Sequence, residues 1–472
     1  MDSRISARAL SEALGGWRGR GPAYESLADG IRLLCLDNRI APRTALPAER
    51  ELAAALGLSR TTVAATYRSL RESGHIESLR GSGSVTLPLR RTDPGADERR
   101  DGVIDLQQAS PAAWPGLPAV IAEVAQDAAA LVARTGYDVV GDARLREAIA
   151  QHYRDRGLPT GADQILVTTG AQSALHLIAS VLLARADRVL IETPTYPHGA
   201  DAFRAVGARL VGVPVTPDQG WDLDRAAQTF ARVLPALAYL MPEFHNPTGR
   251  TMSAAEVSAF VDGSQRAGTI LVLDETTAGL DIDRPTASHP FPDLDRIVRV
   301  GSLGKTVWGG LRVGWVRAQA DIVRRLASGR PVHDLGTPEF EQAVAARLIG
   351  RLDEISAQRA NLLRAGRDTV TGGLLDAFPE WEIPTVHGGV SLWVGIGEPV
   401  STPLVMNARA RGLLLSAGSR FAVDGGHDRR LRIPFTAAPH TLDRAVSILR
   451  AAWDDVRGST AGAALDDLAA VV

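Results

Sequence analysis

Lysine is almost missing from this chain. Of its 52 basic residues 51 are arginines, and the single lysine is Lys305. A guanidinium stays protonated at any working pH, whereas a lysine amine can lose its proton and act as a nucleophile. An arginine-biased composition can leave one lysine by chance, so the count only makes Lys305 the first place to look for amine chemistry. Cysteine is equally scarce. The one cysteine, Cys35, cannot form an internal disulfide and fits a reducing compartment. It lies in an apolar helical stretch and reads as a buried structural thiol. No apolar run approaches the roughly 18 to 20 residues needed to cross a bilayer. The start Met1-Asp2-Ser3-Arg4 has an early acid and no apolar segment behind it, which argues against a secretory signal. The expectation is a cytoplasmic protein with no membrane partner.

At 472 residues the chain is too long for one ordinary domain. Its net charge of −2 is unevenly spread: residues 1–91 carry 14 arginines against 9 acids, and the remainder carries 38 basic against 45 acidic residues. A basic head on an acidic body suggests a polyanion partner for the head. Residues 1–88 alternate short helical patterns with turns. Residues 89–103 are charged and poor in large apolar groups, as a solvated linker is. Residues 104–457 alternate short apolar runs with helical patterns, the signature of an α/β domain with a mainly parallel sheet. Residues 458–472 read as an Ala/Asp-rich tail, a loose helix at most.

In the head, Leu46 to Gly57 reads as a helix with proline early in it and glycine closing it. Ser59 then caps a second helix from Arg60 to Ser73, with Val63, Tyr67 and Leu70 on its buried face. Two helices joined by a short glycine-containing turn form a helix-turn-helix. Ile76 to Leu87, with Gly81 near its tip, reads as a β-hairpin wing. A recognition helix offers its N-terminal residues to base edges, so Ser59, Arg60, Thr61 and Thr62 are well placed, with Arg60 able to reach guanine. Arg43 and Arg50 would flank the phosphates. The stretch 22–88 resembles a GntR-type winged helix, and that resemblance puts Arg43, Glu49, Arg50, Ser59, Arg60, Thr61, Thr62 and Gly81 at the DNA. Some relatives carry an arginine just after the recognition-helix valine. Here that position is Ala64.

In the body, each apolar run ends in a polar cluster, and ligands of open α/β sheets bind beyond those ends. Thr168 leads to Gly170-Ala171-Gln172 at a helix start, a phosphate site. Further runs end at Tyr196, at His245-Asn246-Pro247-Thr248-Gly249, at Asp274, and at Ser302-x-x-Lys305 followed by Arg312. Together they are what pyridoxal phosphate requires. Lys305 supplies the Schiff-base amine, and Asp274 pairs with the pyridine nitrogen. Ser302, Arg312 and the backbone at Ala171 hold phosphate, Tyr196 stacks on the ring, and Asn246 donates to its phenolic oxygen. No metal enters this reading.

The stretch from Tyr137 to Gly314 resembles fold-type I aminotransferases, through Gly141 with Leu145-Arg146, Gly170, Tyr196, Asn246 to Gly249, Asp274, Ser302, Lys305 and Arg312. Farther on, His387 to Val390 and Leu431-Arg432-Ile433 look like that family's C-terminal landmarks, with a smaller α+β subdomain implied. The resemblance implies that Arg432 grips an amino-acid carboxylate and that Tyr137 reaches the cofactor phosphate of a partner subunit. One departure stands out. Aminotransferases usually carry a tyrosine two or three residues after the pyridine aspartate; here the run is Asp274-Glu275-Thr276-Thr277, which argues against efficient turnover.

A GntR-type head on an aminotransferase-like body is similar to the MocR regulators over nearly the whole chain. This implies a transcriptional regulator that binds double-stranded DNA at paired half-sites and senses a small amine, an amino acid or pyridoxal phosphate itself. It also implies a head-to-tail homodimer, each head on the other subunit's body. The alternative is an active aminotransferase with an appended DNA-binding domain.

Overall fold

The computed structural model describes residues 4–15, 17, 22–37, 39–79, 83–88, 102–285 and 288–469, without side chains from 459 onward. In the head, helices α1 (Ala7–Leu14), α2 (Ala23–Leu36), α3 (Glu49–Leu56) and α4 (Arg60–Glu72) precede a hairpin of β1 (Ile76–Leu79) and β2 (Gly83–Thr86). Helix α3 begins at Glu49 rather than Leu46. Pro47 stays outside it, and its carbonyl accepts the Tyr67 hydroxyl at 2.8 Å. Gly57 ends α3 in the left-handed region, φ 64°, where glycine carries no Cβ penalty. The Ser59 hydroxyl then accepts the Thr62 N–H at 3.1 Å and starts α4. Val63, Tyr67 and Leu70 are buried against Ile31 and Leu52 in one core. Truncating Leu70 to alanine would cost about 2–5 kcal/mol. The hairpin pairs Ile76 with Thr86 and Leu79 with Gly83; the tip residue Gly81 lies outside the described residues.

The body is organised by an eight-stranded sheet of β4 (Ile165–Thr168), β5 (Arg188–Thr193), β6 (Arg209–Thr216), β7 (Gly220–Trp221), β8 (Leu237–Leu240), β9 (Ile270–Asp274), β10 (Ile297–Ser302) and β11 (Gly314–Arg317). Its order is β4-β11-β10-β9-β8-β5-β6-β7. The run from β10 to β6 is parallel, while β11 and β7 pair antiparallel. Strands β4, β8 and β11 are buried along their whole length, as strands covered on both faces must be. One face packs on α5 (Ala171–Leu182) through Leu175 and Ile178. The other packs on α6 (Ala254–Ala267) through Phe260.

A smaller subdomain pairs α7 (Leu352–Ala377), α8 (Ser401–Ala410) and α9 (Pro439–Ala469) with an antiparallel sheet. That sheet joins β12 (Ser391–Gly395), β14 (Ser416–Ala417) and β15 (Arg430–Pro434) in the order β12-β15-β14. Helix α9 runs unbroken through Gly458, where the sequence pattern suggests that a tail begins. The first body strand, β3 (Ile104–Asp105), pairs parallel with β13 (Leu413–Leu414). Head and body touch: α2 packs on α8, and Leu33 is buried with Leu404 and Ala408 in the subdomain core. Cys35 is buried and free, and burial pushes its thiol up to about 11. Among the described residues no helix is long and apolar enough to cross a membrane.

Candidate cofactor cavity and DNA-binding surface

The carboxyl ends of β4, β5, β9 and β10 open into one cavity of about 570 Å³, a size suited to a small molecule. Lys305, Asp274, Asn246, Tyr196, Ala171, Gln172, Ser302, Arg312 and Arg432 all line it. Gly170 is the residue before α5. Tyr137 does not line the cavity and stands 72% exposed.

Lys305 Nζ donates to the carbonyls of Ala109 at 2.9 Å and Gln108 at 3.4 Å. Its surroundings disfavour a charge: burial first, then the Arg432 guanidinium, bring the amine down to about 8, with Asp274 opposing. Asp274 closes β9 and is 3% exposed. Burial raises its acid, while the N–H of Thr276 at 3.0 Å and the Tyr239 hydroxyl at 2.7 Å favour the carboxylate. Sequence reasoning overlooked Tyr239. Its signal was present: a tyrosine inside a fully buried strand must find a partner for its hydroxyl.

At the phosphate end Gly170 has φ 84°, and a Cβ there would lie 2.8 Å from Arg312 Nη2. That guanidinium also donates to the Thr169 carbonyl at 2.9 Å. A Cβ on Gly314 would meet the Gly170 backbone at 2.8 Å, so glycine at both positions lets β11 pass beneath the loop. The first N–H groups of α5 point at this corner with the helix dipole behind them. Ser302 Oγ donates to the Val313 carbonyl at 3.2 Å and accepts the Gly304 N–H at 3.0 Å.

Three polar atoms facing this region are buried without a hydrogen-bond partner: Asn246 Oδ1, Gln172 Oε1 and Arg432 Nε. Buried polar groups are rarely left so. Arg432, on β15, is 6% exposed, donates through Nη2 to the Gln107 carbonyl, and lies 4.9 Å from the Phe421 ring centre. Burial brings its guanidinium down to about 10. Thr277 lines the cavity where a tyrosine was expected, but its hydroxyl donates to the Glu243 carbonyl at 2.8 Å. A lone amine, a buried carboxylate, an aromatic face, an unpartnered amide and a glycine cradle under an arginine fit an aldehyde-bearing pyridine with a phosphate arm.

On the head, Ser59, Arg60 and Thr61 are exposed at the start of α4, and Thr62 is partly so. The Ser59 hydroxyl is already committed to capping and also bonds the hydroxyls of Thr61 at 2.7 Å and Thr62 at 2.8 Å, which leaves the exposed Arg60 guanidinium facing outward. Arg60 Nε lies 3.5 Å from Glu49 Oε2. Arg43, at φ 60°, and Arg50 are exposed beside them.

The sequence pattern of aminotransferase classes I and II matches residues 107–449, and that of the gntR family of bacterial regulatory proteins matches residues 23–85. The chain belongs to the aminotransferase class I and II family. It is 26% identical over 429 residues to the uncharacterized HTH-type transcriptional regulator YdfD of Bacillus subtilis, covering 83% of this chain and 88% of the relative. It is likewise 26% identical over 460 residues to YisV of the same organism, with coverages of 88% and 93%. The structure of LysN, an α-aminoadipate aminotransferase from Thermus thermophilus, superposes with a TM-score of 0.68 at 24% identity, over 78% of this chain and 96% of the enzyme. A gntR-family head ahead of this body makes the chain a DNA-binding regulator of the MocR type. The cofactor of the aminotransferase family is pyridoxal phosphate, and the cavity fits it.

Proposed function

We propose that this regulator uses its aminotransferase-like body to sense an amine, an amino acid or pyridoxal phosphate itself, and so adjusts how its head holds DNA. When bound, the cofactor supplies an aldehyde and an electron-withdrawing ring. The chain's own residues do the rest. Lys305 would hold the aldehyde end through its amine, and Asp274, held by Tyr239, would pair with the ring nitrogen. Tyr196 would cover the ring and Asn246 would donate to its phenolic oxygen. Gly170, Ala171, Gln172, Ser302 and Arg312 hold the phosphate end, and Arg432 takes the effector's carboxylate. Tyr137, exposed as it is, is left to a partner subunit's cofactor in a homodimer. On the head, Arg60 and Thr61 read bases while Arg43, Arg50, Thr62 and the Gly81 wing follow phosphates at each of two half-sites. In this reading residues 1–88 are the DNA-binding unit, 89–103 its tether and 104–457 the sensor, acting in the cytoplasm.

The observation that carries the proposal is where two ligand-facing cations now donate. Lys305 holds the carbonyls of Gln108 and Ala109, and Arg432 holds that of Gln107. This is the segment that enters the body directly after the tether. An aldehyde at the amine and a carboxylate at the guanidinium compete with those carbonyls, loosening the point where the head is anchored. Such an exchange is a coupling between two sites, and it is reciprocal. The test is a DNA-binding titration at fixed salt, with and without pyridoxal phosphate and then with a panel of amino acids. Affinity that ignores every addition refutes sensing.

An active aminotransferase is the second reading, favoured by the complete set of Lys305, Asp274 and Arg432. The engagement of the Thr277 hydroxyl with Glu243 weighs against it. Steady-state amino transfer at ordinary enzyme rates would establish it.

A further inference from the structure

Glu192, near the end of β5, is a buried acid outside the cavity wall: it is 0% exposed and does not line the cavity. A carboxylate held away from water persists only where donors surround it. Three N–H groups do so here. The Trp221 indole, on β7, donates to Oε1 at 2.8 Å, and the Met241 backbone N–H, just beyond β8, donates to Oε2 at 2.9 Å. The third is the equally buried His245, whose Nε2 lies 3.4 Å from Oε2 and has no other partner among the described residues. An acid opposite Nε2 keeps a proton on that nitrogen, and the Thr248 hydroxyl lies 2.8 Å from Nδ1. The ring is thus fixed from both sides.

His245 directly precedes Asn246 and closes the turn that carries it. Its N–H donates to the Arg250 carbonyl at 2.8 Å, and its carbonyl accepts the Gly249 N–H at 2.7 Å. Asn246 lines the cavity, yet its Oδ1 is buried without a partner, so the turn beneath must set its aim. On its own strand Glu192 lies four residues before Tyr196, and between them the Thr195 N–H donates to the Phe421 carbonyl at 2.9 Å. One acid therefore ties the strand that leads to the ring-covering tyrosine to the turn that offers the amide. We infer that Glu192 is a positioning residue of the cofactor site, acting through His245 to aim the Asn246 amide at the phenolic oxygen. This rests on the role of Asn246 proposed above and does not depend on sensing. Glutamine at this position would keep the shape but offer only one oxygen. Its NH2 would then face the Trp221 indole or the Met241 N–H, donor against donor.

The experiment follows the visible absorbance of full-length, cofactor-loaded protein against pH. A hydrogen bond to the ionised phenolic oxygen favours that form. Asn246→Ala should therefore raise the midpoint by about one to two pH units, the worth of a bond to a charged group. Glu192→Gln should raise it in the same direction by about half a unit to one unit. With Asn246 already alanine it should add no more than about 0.3 unit, because the two residues act in series. Thermal unfolding of each variant reports the fold separately. If Glu192→Gln does not fold, His245→Leu breaks the same link from its other end and carries the same expectation. A midpoint that Asn246→Ala moves and Glu192→Gln does not overturns the inference, and so do equal shifts in both backgrounds; either result leaves Asn246 in its role. A midpoint indifferent to Asn246→Ala overturns both that role and the inference.

Discussion

Cofactor capture by Lys305 should depend on pH in a way that its surroundings fix. The attacking species is the neutral amine. With the amine brought down to about 8, roughly a tenth is neutral at pH 7, against about one in 3,000 for a lysine at the ordinary 10.5. The gain in reactive amine is about 300-fold. Stopped-flow mixing of cofactor-free protein with pyridoxal phosphate should therefore give a rate that rises with pH and levels off above about 8. Two substitutions should move that midpoint in opposite directions. Arg432→Met removes a cause of the depression and raises it; Asp274→Asn removes the opposing carboxylate and lowers it. The N-terminal amine, with an ordinary value of about 7.7 to 8.0, can also capture the aldehyde, so Lys305→Ala supplies the background to subtract. Borohydride trapping and peptide mapping then place the adduct, which no second lysine can confuse. A rate that is flat through neutrality, or a midpoint that ignores both substitutions, refutes the reasoning.

Three further outcomes follow from the geometry. Tyr239→Phe removes the 2.7 Å donor from Asp274, and a hydrogen bond to a charged group is worth about 1.5–3 kcal/mol. Because burial already raises the folded acid and the variant raises it further, the loss is present while Asp274 is ionised and fades as falling pH protonates it. Urea midpoints compared at neutral and acid pH should show that convergence, and equal losses at both would contradict it. Gly170→Ala sets a Cβ 2.8 Å from Arg312 Nη2 at φ 84°; a strained residue costs about 1–3 kcal/mol, to be read as weaker cofactor binding. Arg60→Ala should weaken specific operator binding by about 1–3 kcal/mol and change binding to random duplex far less; equal losses on both would make Arg60 a phosphate contact.

The parts of the cavity that could be read in advance are those where side-chain chemistry follows an apolar run. Asp274 ends β9 and Ser302 ends β10, so the change from buried strand to polar loop marks the cavity edge. The cap at Ser59 and the glycine closing α3 mark the recognition helix in the same local way. The carbonyls of Gln107 to Ala109 could not be found so. Every residue has a carbonyl, and nothing in a side chain announces which one receives Lys305. Tyr239 is an intermediate case: its burial demanded a partner, but only the sheet order shows Asp274 to be that partner.

Helix α2 shows how an interface far apart in sequence can still leave a trace. Leu27, Ile31 and Leu34 recur at helical spacing and face the head's own core. One stripe of that kind is what a small helical domain needs. Yet Leu33 is also apolar, points elsewhere, and is buried in the subdomain core instead, while Leu36 reaches the cavity. Apolar residues off the stripe would be exposed if the head stood alone, so their presence requires a second surface to cover them. In this structure that surface is α8 and the cavity mouth. The head therefore touches the body through a helix whose other face builds the DNA-binding core. A change at the cavity mouth acts on a buried helix rather than on a loose tether, and packed helices shift between discrete arrangements instead of deforming smoothly. Substituting Leu33 with alanine should accordingly loosen the response of DNA affinity to ligand while the cofactor still binds. A response that persists unchanged would show that the signal passes only through the segment at Gln107.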